Sequence, residues 1–418
     1  MTHTSLASWL SYIESQHPSE IELGLDRGNL VLSRLALSRP KHKVITVAGT
    51  NGKGSTCAML TQYLCSQGYT VGTYTSPHFL AFNERIALNN MSCDDAMICR
   101  AFEVIEAARK DVPLTYFEFS TLAALWIFDQ SKLDYWVLEV GLGGRLDSVN
   151  MIDTDVAVVT SISLDHMDWL GDNLDVIARE KTGIARKDKL LVSGVVNPPS
   201  TIAITAGEIG ANLKQKDIDF SFQRSTADWS WSGNGVQYDA LPIPSLPLQN
   251  AATVIAVLVY MGLNPSVTDL VNLFKTAQLT GRFQQVAFSP DVYIDVAHNP
   301  EAAVELAQRI GSLSRKPVAV CGMLKDKDIA GVMANLAESF SAWYCCDLGG
   351  VRGAKALELM DKLEKVSPDI SPFLYECSSV GDAIQGALAQ AKEEGRAVIV
   401  FGSFVTVSDY LALSQARE

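Results

Sequence analysis

Gly49-Thr50-Asn51-Gly52-Lys53-Gly54-Ser55 is the stretch that decides the fold of this chain. The apolar run Lys43–Ala48 precedes it and predicts a buried strand. Residues 56–64 follow it with a helical pattern that ends near Gly68. A glycine loop between a strand and a helix lets backbone N–H groups and the positive helix N-terminus bind phosphate. Lys53 would reach the terminal phosphates of a nucleotide.

This loop departs from the usual nucleotide-binding pattern G-x-x-x-x-G-K-[ST]. Val47 stands where the first glycine would fall, and Gly54 replaces the hydroxyl residue, with Ser55 one position later. The alternative is a tight strand-to-helix turn that carries a surface lysine. Because the strand, the loop and the helix all agree, we interpret the stretch as a nucleotide-binding loop.

The composition describes a globular protein with an acidic surface. The 418 residues suffice for two or three domains of ~150 residues each. Hydrophobic residues make up 48% and charged residues 19%, which indicates large cores. The formal net charge of -13 argues against nucleic-acid and anionic-membrane partners. The charge of a bound nucleotide must therefore be met locally, by Lys53, Arg145, Arg282 or a metal ion.

The cysteines and the apolar segments indicate a cytoplasmic protein. Eight cysteines occur without C-x-x-C spacing, so neither a zinc site nor a disulfide framework is predicted. The N-terminus lacks a basic-then-apolar signal. The longest apolar stretch, residues 251–261, is too short to span a bilayer. We also expect a monomer.

Strands alternate with helices along most of the chain, which predicts α/β architecture with mainly parallel sheets. Residues 1–281 are predicted to form a P-loop domain, and residues 282–418 a smaller Rossmann-like domain. Residues 218–247 are richer in Ser, Asp, Trp and Pro, and are predicted to form a hairpin-bearing excursion. The predicted strands are residues 69–75, 135–140, 156–161, 292–295, 318–321, 342–345 and 397–401.

The loops after these strands carry most of the chemistry, since ligands of open α/β sheets bind beyond the carboxyl ends of the strands. Glu139 ends an apolar strand and precedes the glycine-rich run 141–147. An acid at this position holds Mg²⁺ in many NTPases. The alternative is an acid that caps a turn. The glycine-rich sequel favours the metal ligand.

Three of the six histidines, His78, His166 and His298, fall in loops of this kind. A hydrogen-bonded turn histidine is the alternative at each position, but their concentration favours function for at least two of them. Arg179-Glu180-Lys181, judged by composition alone, is a charged and solvated helix face. Asp295 ends the first long strand of the second domain.

Asn299 and Pro300 are predicted to cap and begin the helix that follows this strand. The functional alternative for this loop is that Asp295 and His298 face the other domain across a cleft.

Eight of these motifs together resemble the Mur ligase superfamily, and within it the bacterial folylpolyglutamate synthases that also serve as dihydrofolate synthases. They occur in family order and span nearly the whole chain. The family loop itself reads G-T-N-G-K-G-[ST], so Gly54 does not depart from it. The motifs are Gly49-Thr50-Asn51-Gly52-Lys53-Gly54-Ser55, Ser76-Pro77-His78, Leu114-Thr115-Tyr116-Phe117-Glu118, Glu139-Val140-Gly141-Leu142-Gly143-Gly144-Arg145-Leu146-Asp147, Leu164-Asp165-His166, Arg179-Glu180-Lys181, Gly281-Arg282-Phe283 and Asp295-Val296-Ala297-His298-Asn299-Pro300.

The resemblance implies an ATP-dependent amide ligase that works in the cleft between the two domains. A substrate carboxylate would attack the γ-phosphate to give an acyl phosphate, and the amine of L-glutamate would then displace phosphate. The implied substrates are dihydropteroate and reduced folates such as tetrahydrofolate polyglutamates. The implied cofactors are ATP and two Mg²⁺ ions, which neutralise the transferring group.

The resemblance also implies roles for individual residues. Lys53, Lys181, His166 and His298 would be catalytic, and Lys181 would carry a carbamate. The implied ATP contacts are Gly49, Thr50, Asn51, Gly52, Lys53, Gly54, Ser55, Asn250, Arg282 and Asp295. The implied substrate contacts are Thr115, Phe117, Arg145 and Asp147, and the implied metal ligands are Ser76, Glu139 and His166.

Three other functions stay open at this point. One is a folylpolyglutamate synthase without the dihydropteroate activity. Another is a muramyl-precursor ligase, although such enzymes carry a whole UDP-binding domain before the loop and only 48 residues precede Gly49 here. The third is a P-loop regulatory ATPase, which would not need the residues around Asp295 and His298. A guanine switch would need an N-K-x-D motif, which the sequence lacks.

Overall fold

The computed structural model describes residues 4–17, 22–37, 39 and 41–416. Two compact units divide the chain. The first unit contains the chain up to Ser163 together with Asp168–Ala277. The second unit contains Leu164–Met167 and the chain from Gln278 onward. The predicted domains, 1–281 and 282–418, stay a prediction.

In the described part of the first unit, eight strands form one sheet in the order β4-β3-β2-β5-β1-β6-β7-β8. The six strands from β2 to β8 in that order run parallel, and β3 and β4 pair antiparallel at one edge. The central strands are mostly apolar because helices cover both faces of a parallel sheet. The strands are β1 (Lys43–Ala48), β2 (Val71–Tyr74), β3 (Ile86–Leu88), β4 (Met91–Ser92), β5 (Tyr135–Glu139), β6 (Val156–Val159), β7 (Leu190–Ser193) and β8 (Asn212–Gln215).

Helices connect and cover these strands. Most of the glycine-loop helix α3 is buried, including its polar residues Ser55, Thr56 and Thr61. The start of α5 is a capping box, in which Thr115 and Glu118 each accept from the other's backbone N–H. The helices are α1 (Leu6–Glu14), α2 (Asp26–Leu35), α3 (Lys53–Ser66), α4 (Asp95–Arg109), α5 (Tyr116–Ser131), α6 (Met167–Leu170), α7 (Leu174–Thr182), α8 (Thr201–Ile209), α9 (Leu248–Tyr260) and α10 (Val267–Thr276).

The predicted excursion at residues 218–247 is a three-stranded antiparallel sheet in the order β11-β10-β9, so the hairpin prediction is confirmed. The apolar residues of the middle strand alternate with polar ones; they are Trp229 and Trp231, and both are buried. The indole of Trp231 donates to the carbonyl of Ala252 at 3.0 Å, which anchors this small sheet to α9. The strands are β9 (Phe220–Arg224), β10 (Asp228–Gly233) and β11 (Val236–Pro242).

The described part of the second unit has a six-stranded sheet in the order β12-β13-β17-β14-β15-β16. All neighbours pair parallel except β12, which is antiparallel at one edge. The strands are β12 (Gln284–Ala287), β13 (Val292–Ile294), β14 (Val318–Cys321), β15 (Ala342–Cys346), β16 (Leu374–Cys377) and β17 (Val398–Phe401). The helices are α11 (Pro300–Ile310), α12 (Ile329–Leu336), α13 (Ala356–Val366), α14 (Val380–Glu394) and α15 (Phe404–Gln415).

The predicted fold class, an α/β chain with mainly parallel sheets, is confirmed. The predicted helix start at Asn299 and Pro300 is also confirmed, since the Asn299 side chain accepts from the N–H of Ala302 at 3.0 Å and Pro300 is the first helical residue. All eight cysteines are free thiols. Within the described ranges, no helix is both long and apolar enough to cross a membrane.

Candidate active site

The loops that carry the predicted nucleotide and metal residues leave one edge of the first sheet. In the strand register, Val47 of β1 lies beside Glu139 of β5, and Ala48 lies beside Val159 of β6. The glycine loop that follows β1 therefore emerges between the end of β5 and the segment after β6. This is the edge where the carboxyl ends of parallel strands form ligand sites.

Two glycines of the loop have no space for a side chain. A Cβ atom on Gly49 would lie 1.8 Å from the hydroxyl oxygen of Thr160. A Cβ atom on Gly52 would lie 2.4 Å from the carboxamide oxygen of Asn250, and Gly52 has a φ of +82°. Only glycine lets the backbone come this close to its neighbours. The loop is thus shaped by tight packing, with the buried Asn250 side chain set against it.

Lys53 and Ser55 occupy the first turn of α3, next to this backbone. The Lys53 ammonium donates to the carbonyls of Gly49 and Thr50, at 2.9 and 3.1 Å, so the side chain folds back over the loop. Gly52 stands at the N-cap and provides no side-chain cap for the helix. Among the described residues, the buried Ser55 hydroxyl has no hydrogen-bond partner. An uncapped helix start, a buried hydroxyl without a partner and a lysine fit a phosphate group.

The segment after β6 supports the loop from the other side. The Thr160 hydroxyl donates to the carbonyl of Asn51 at 2.6 Å, and the Ser161 hydroxyl accepts from the Asn51 N–H at 3.0 Å. The Thr50 N–H donates to the carbonyl of Ser161 at 3.0 Å. Sequence reasoning missed these hydroxyls. The sequence feature that could have indicated them is the run of small hydroxyl residues at the end of β6.

Glu139 and Ser76 come together beside the loop, and their role as metal ligands stays a prediction. Glu139 is 5% exposed, and its carboxylate accepts from the Ser76 N–H at 3.2 Å. Among the described residues, no group of three or more His, Cys, Asp or Glu side chains could hold a metal ion. Mg²⁺ commonly takes only one or two carboxylates and completes its shell with phosphate and water. One buried carboxylate, with the backbone of Ser76 beside it, therefore fits Mg²⁺ on a nucleotide.

His78, the third histidine in a strand-end loop, lies two residues after Ser76. Its Nδ1 accepts from the Arg85 Nε at 2.8 Å. Burial, together with the Arg85 charge, lowers the pKa of His78. The imidazole is therefore the neutral form with its hydrogen on Nε2.

Lys181 is buried, with 4% exposure, which makes the expectation of a solvated helix face wrong at this position. It lies three and four residues after Ala178 and Ile177, which are fully buried, so all three share one face of α7. Arg179 lies on the exposed face and pairs with Glu208 at 3.0 Å. The spacing of four residues from Ile177 to Lys181 indicates a shared helix face, and an argument from composition alone does not detect it.

Arg145 and the glycine-rich turn lie against α7. The Arg145 guanidinium pairs with Glu180 at 2.7 Å and is about half exposed. A Cβ atom on Gly144 would lie 3.1 Å from the Cα of Lys181, so the turn passes close to the backbone of this lysine. The predicted substrate contact of Arg145 stays a prediction.

Asp147 lies on the glycine-rich turn, and Phe117 of α5 packs against the same turn. A Cβ atom on Gly141 would lie 2.5 Å from Cζ of the Phe117 ring. The buried Asp147 carboxylate accepts from the N–H groups of Leu142 and Val149 at 2.8 and 2.9 Å. Burial raises the pKa of Asp147 to about 6, despite these hydrogen bonds. Asp147 thus braces the turn, and its substrate contact, like that of Phe117, stays a prediction.

The second unit contains a buried charge cluster formed by Asp165, His298 and Lys327. The Asp165 carboxylate lies 2.6 Å from the Lys327 ammonium and 3.4 Å from Nε2 of His298. The His298 Nδ1 lies 2.7 Å from the carbonyl of Val296 and donates to it. Burial would raise the pKa of Asp165, but His298, His166 and Lys327 outweigh it and hold that pKa well below its usual range.

Lys327 was missed by sequence reasoning. It follows β14 in a charged run, Lys325-Asp326-Lys327-Asp328, that is typical of a solvated loop. Its side chain is nevertheless only 6% exposed. His166 lies in the same segment as Asp165, with its Nε2 3.9 Å from that carboxylate. The predicted metal contact of His166 and catalytic role of His298 stay predictions.

Asp295 and Arg282 lie near each other in the second unit. The buried Asp295 carboxylate accepts from the N–H groups of Phe283 and Ala297, both at 2.8 Å. Burial raises the pKa of Asp295, and the Arg282 charge partly opposes this. The Arg282 guanidinium lies 5.7 Å from the centre of the Phe404 ring, a cation–π distance. Asp295 thus fixes the loop that presents Arg282.

Comparison with known proteins assigns these features to one family. A family model described as Mur ligase middle domain matches residues 47–240, and one described as Mur ligase, glutamate ligase domain matches residues 281–404. The dihydrofolate synthase/folylpolyglutamate synthase of Escherichia coli (strain K12) is 45% identical over 414 residues, which cover 99% of this chain and 96% of that protein. The chain belongs to the Mur ligase family.

Solved structures of the same family match this Mur ligase chain over nearly its whole length. E. coli FolC in complex with DHPP and ADP has a TM-score of 0.94 and 44% identity, and the match covers 100% of this chain and 99% of that one. A bifunctional folylpolyglutamate synthase/dihydrofolate synthase with Mn, AMPPNP and L-glutamate bound has a TM-score of 0.90 and 43% identity, with 99% of each chain covered.

In this Mur ligase chain, we predict that Gly52→Ala damages ATP use much more than Gly68→Ala. The two glycines have nearly the same φ, +82° and +83°, but a Cβ atom on Gly68 meets nothing within 4 Å. Both variants bear the cost of a left-handed alanine, about 1 kcal/mol. Only Gly52→Ala displaces Asn250 and the loop, so we expect its KM for ATP to rise at least ~10-fold.

Steady-state kinetics with ATP as the varied substrate, with thermal unfolding of both variants, measures this difference. Equal effects of the two substitutions on the KM for ATP would contradict the assignment of the loop.

Proposed function

We propose that this chain is an ATP-dependent amide ligase that adds L-glutamate to dihydropteroate and to reduced folates. The observation that carries the proposal is the likeness, over nearly the whole chain, to a relative named for both activities. The glycine loop supports it, because its first helical turn has a lysine and a buried hydroxyl without a hydrogen-bond partner.

The reaction proceeds in two displacements. A carboxylate oxygen of the folate substrate attacks the γ-phosphorus of ATP, and ADP leaves as the acyl phosphate forms. The amine of L-glutamate then attacks the acyl carbon, and the carbon–oxygen bond breaks to release phosphate and a proton. Both substrates present a carboxylate, so one chemistry serves both activities.

The loop residues bind the triphosphate. Lys53 exchanges its contacts with the Gly49 and Thr50 carbonyls for oxygens of the β- and γ-phosphates. The backbone of residues 49–55 surrounds the phosphates, and Ser55 donates its hydroxyl to them. Asn250 holds the loop at Gly52. Arg282 and Asp295, which belong to the second domain, contact the nucleotide.

Ser76 and Glu139 hold one Mg²⁺, and His166 contributes to a second. The first pair is supported by the contact between the Ser76 N–H and the Glu139 carboxylate. Bound Mg²⁺ neutralises charge on the phosphate groups. The solved relative with Mn, AMPPNP and L-glutamate supports a divalent metal and ATP for this chain. His298 acts at the glutamate end of the site.

The pterin contacts are Thr115, Phe117 and Asp147, with Arg145 as a further substrate contact. Their support is that Phe117 packs against the turn that carries Asp147, and that Thr115 stands at the start of the helix that carries Phe117. The solved E. coli relative contains DHPP and ADP. The cytoplasmic location, the monomeric state and a site in the cleft between the domains remain predictions from the sequence.

The test of this function is a substrate panel with phosphate release as the readout. We expect release only when ATP, L-glutamate and either dihydropteroate or tetrahydrofolate are all present. Lys53→Ala controls for contaminating ATPases, because losing a contact of this kind costs ~3 kcal/mol or more in the transition state. The fold should survive, since the hydrogen bonds of this ammonium go to carbonyls of the loop.

Each other outcome of the panel identifies an alternative. Release without glutamate or a pterin indicates a regulatory ATPase. Release with tetrahydrofolate but not dihydropteroate indicates a folylpolyglutamate synthase alone, and release with a muramyl precursor indicates a cell-wall ligase.

The proposed carbamate on Lys181 makes a separate prediction. Adding CO₂ would turn a buried cation into an anion, which suits a site near a metal ion. We expect Lys181→Ala to be inactive and to regain part of its activity with acetate or formate. Lys189→Ala, which removes a half-exposed lysine paired with Asp155, should stay active. Failure of both small carboxylates to restore any activity would contradict the carbamate.

A further inference from the structure

An ion pair between the partly buried Arg27 and the buried Glu118 joins α2 to α5 in the first domain. The Arg27 guanidinium lies 3.2 Å from the Glu118 carboxylate, and Glu118 is only 3% exposed. The other end of the guanidinium contacts Glu22, whose carbonyl accepts from Arg27 at 3.0 Å. One arginine thus bridges two acids that belong to different parts of the fold.

Helix stability alone does not explain either residue of this pair. Arg27 stands in the first turn of α2, where the helix dipole disfavours a positive charge. Glu118 completes the capping box of α5 with a single oxygen, Oε2, which accepts from the Thr115 N–H at 2.8 Å. Its other oxygen, Oε1, lies 3.2 Å from the Arg27 guanidinium, and the buried Nε of Arg27 has no hydrogen-bond partner among the described residues. The tertiary packing of α2 and α5, rather than the stability of either helix alone, therefore explains the pair.

The residues around Arg27 contact the turn that carries Asp147, which belongs to the proposed pterin site. The Gly24 N–H donates to the carbonyl of Leu146, next to Asp147, at 3.1 Å. A Cβ atom on Gly28 would lie 2.1 Å from the sulfur of Met151, in the 3₁₀ turn that Asp147 begins. The start of α2 is thus packed against the Asp147 turn on one side and bound by charge to Glu118 on the other.

We propose that Arg27 and Glu118 are positioning residues that set the pterin site for dihydropteroate. Thr115 and Phe117 lie in the first turn of α5, beside Glu118, and Asp147 lies on the turn that α2 contacts. The ion pair fixes these two parts of the domain relative to each other. The inference rests on the proposed function, since it assumes that the residues it positions bind a pterin.

The test compares kinetic constants of substitutions at the pair. Arg27→Met keeps much of the side-chain volume and removes the charge. Glu118→Gln removes the charge and keeps an acceptor for the capping box. We expect each to raise the KM for dihydropteroate ~10- to 100-fold, because small displacements at a site have effects of this size. The KM for ATP should stay within ~2-fold, because the glycine loop is unaffected.

Two further variants separate positioning from folding stability. The double variant Arg27→Met/Glu118→Gln should be no worse for dihydropteroate than Arg27→Met, because it leaves no unpaired buried carboxylate. Arg27→Lys should fall between wild type and Arg27→Met, since one ammonium cannot bridge both acids. Arg39→Met, at a half-exposed arginine paired with Asp155, is the control and should match wild type.

The outcomes distinguish this inference from the proposed function. If wild type shows no ligation with dihydropteroate, the proposed function fails. If wild type is active and Arg27→Met and Glu118→Gln leave the KM for dihydropteroate within ~2-fold, the inference is overturned. It is also overturned if the constants for ATP and dihydropteroate change equally, as a merely structural role predicts. If Arg27→Met does not fold, Arg27→Lys and Glu118→Gln decide the question by the same criteria.

Discussion

The close approach of the glycine loop to its neighbours is the constraint on which the rest of the site depends. The backbone at Gly49 lies against Thr160, and the backbone at Gly52 lies against Asn250, with no space for a Cβ atom at either position. These contacts fix the loop between β6 and α9. They bring the start of α3 to the edge of the sheet where Glu139 and Ser76 meet.

The placement of individual positive charges is the second constraint on this acidic protein. With a net charge of -13, the chain repels a nucleotide overall, so binding requires cations placed at the site. Lys53 is placed in this way, since its ammonium donates to carbonyls of the glycine loop. Lys327 is a buried cation of another kind, because it pairs with Asp165 within the second unit. Buried charges of this kind need defined partners, which makes their positions specific.

Much of the fold could be predicted from the sequence because its signals are local. The strand before the glycine loop, the helix after it and the cap at Asn299 all follow from patterns within a few residues. The short antiparallel edge strands β3, β4 and β12 were not predicted, because two to four residues give little periodicity.

The site was less predictable because its contacts are long-range. The burial of Lys327 depends on Asp165, which lies far away in the sequence. No local sequence pattern predicts this pair. Family resemblance supplied the roles of Lys181 and Asn250, whereas Thr160 and Ser161 became visible only through their hydrogen bonds to the loop.

The central claim is that the folate carboxylate is phosphorylated by ATP before glutamate is joined to it. Ligation of dihydropteroate whose two carboxylate oxygens are both ¹⁸O tests this claim most directly, with mass analysis of the released phosphate. If an acyl phosphate forms, one carboxylate oxygen leaves with the phosphate, so each phosphate released should carry one ¹⁸O atom. Phosphate without ¹⁸O, released as glutamate is ligated, would contradict the account.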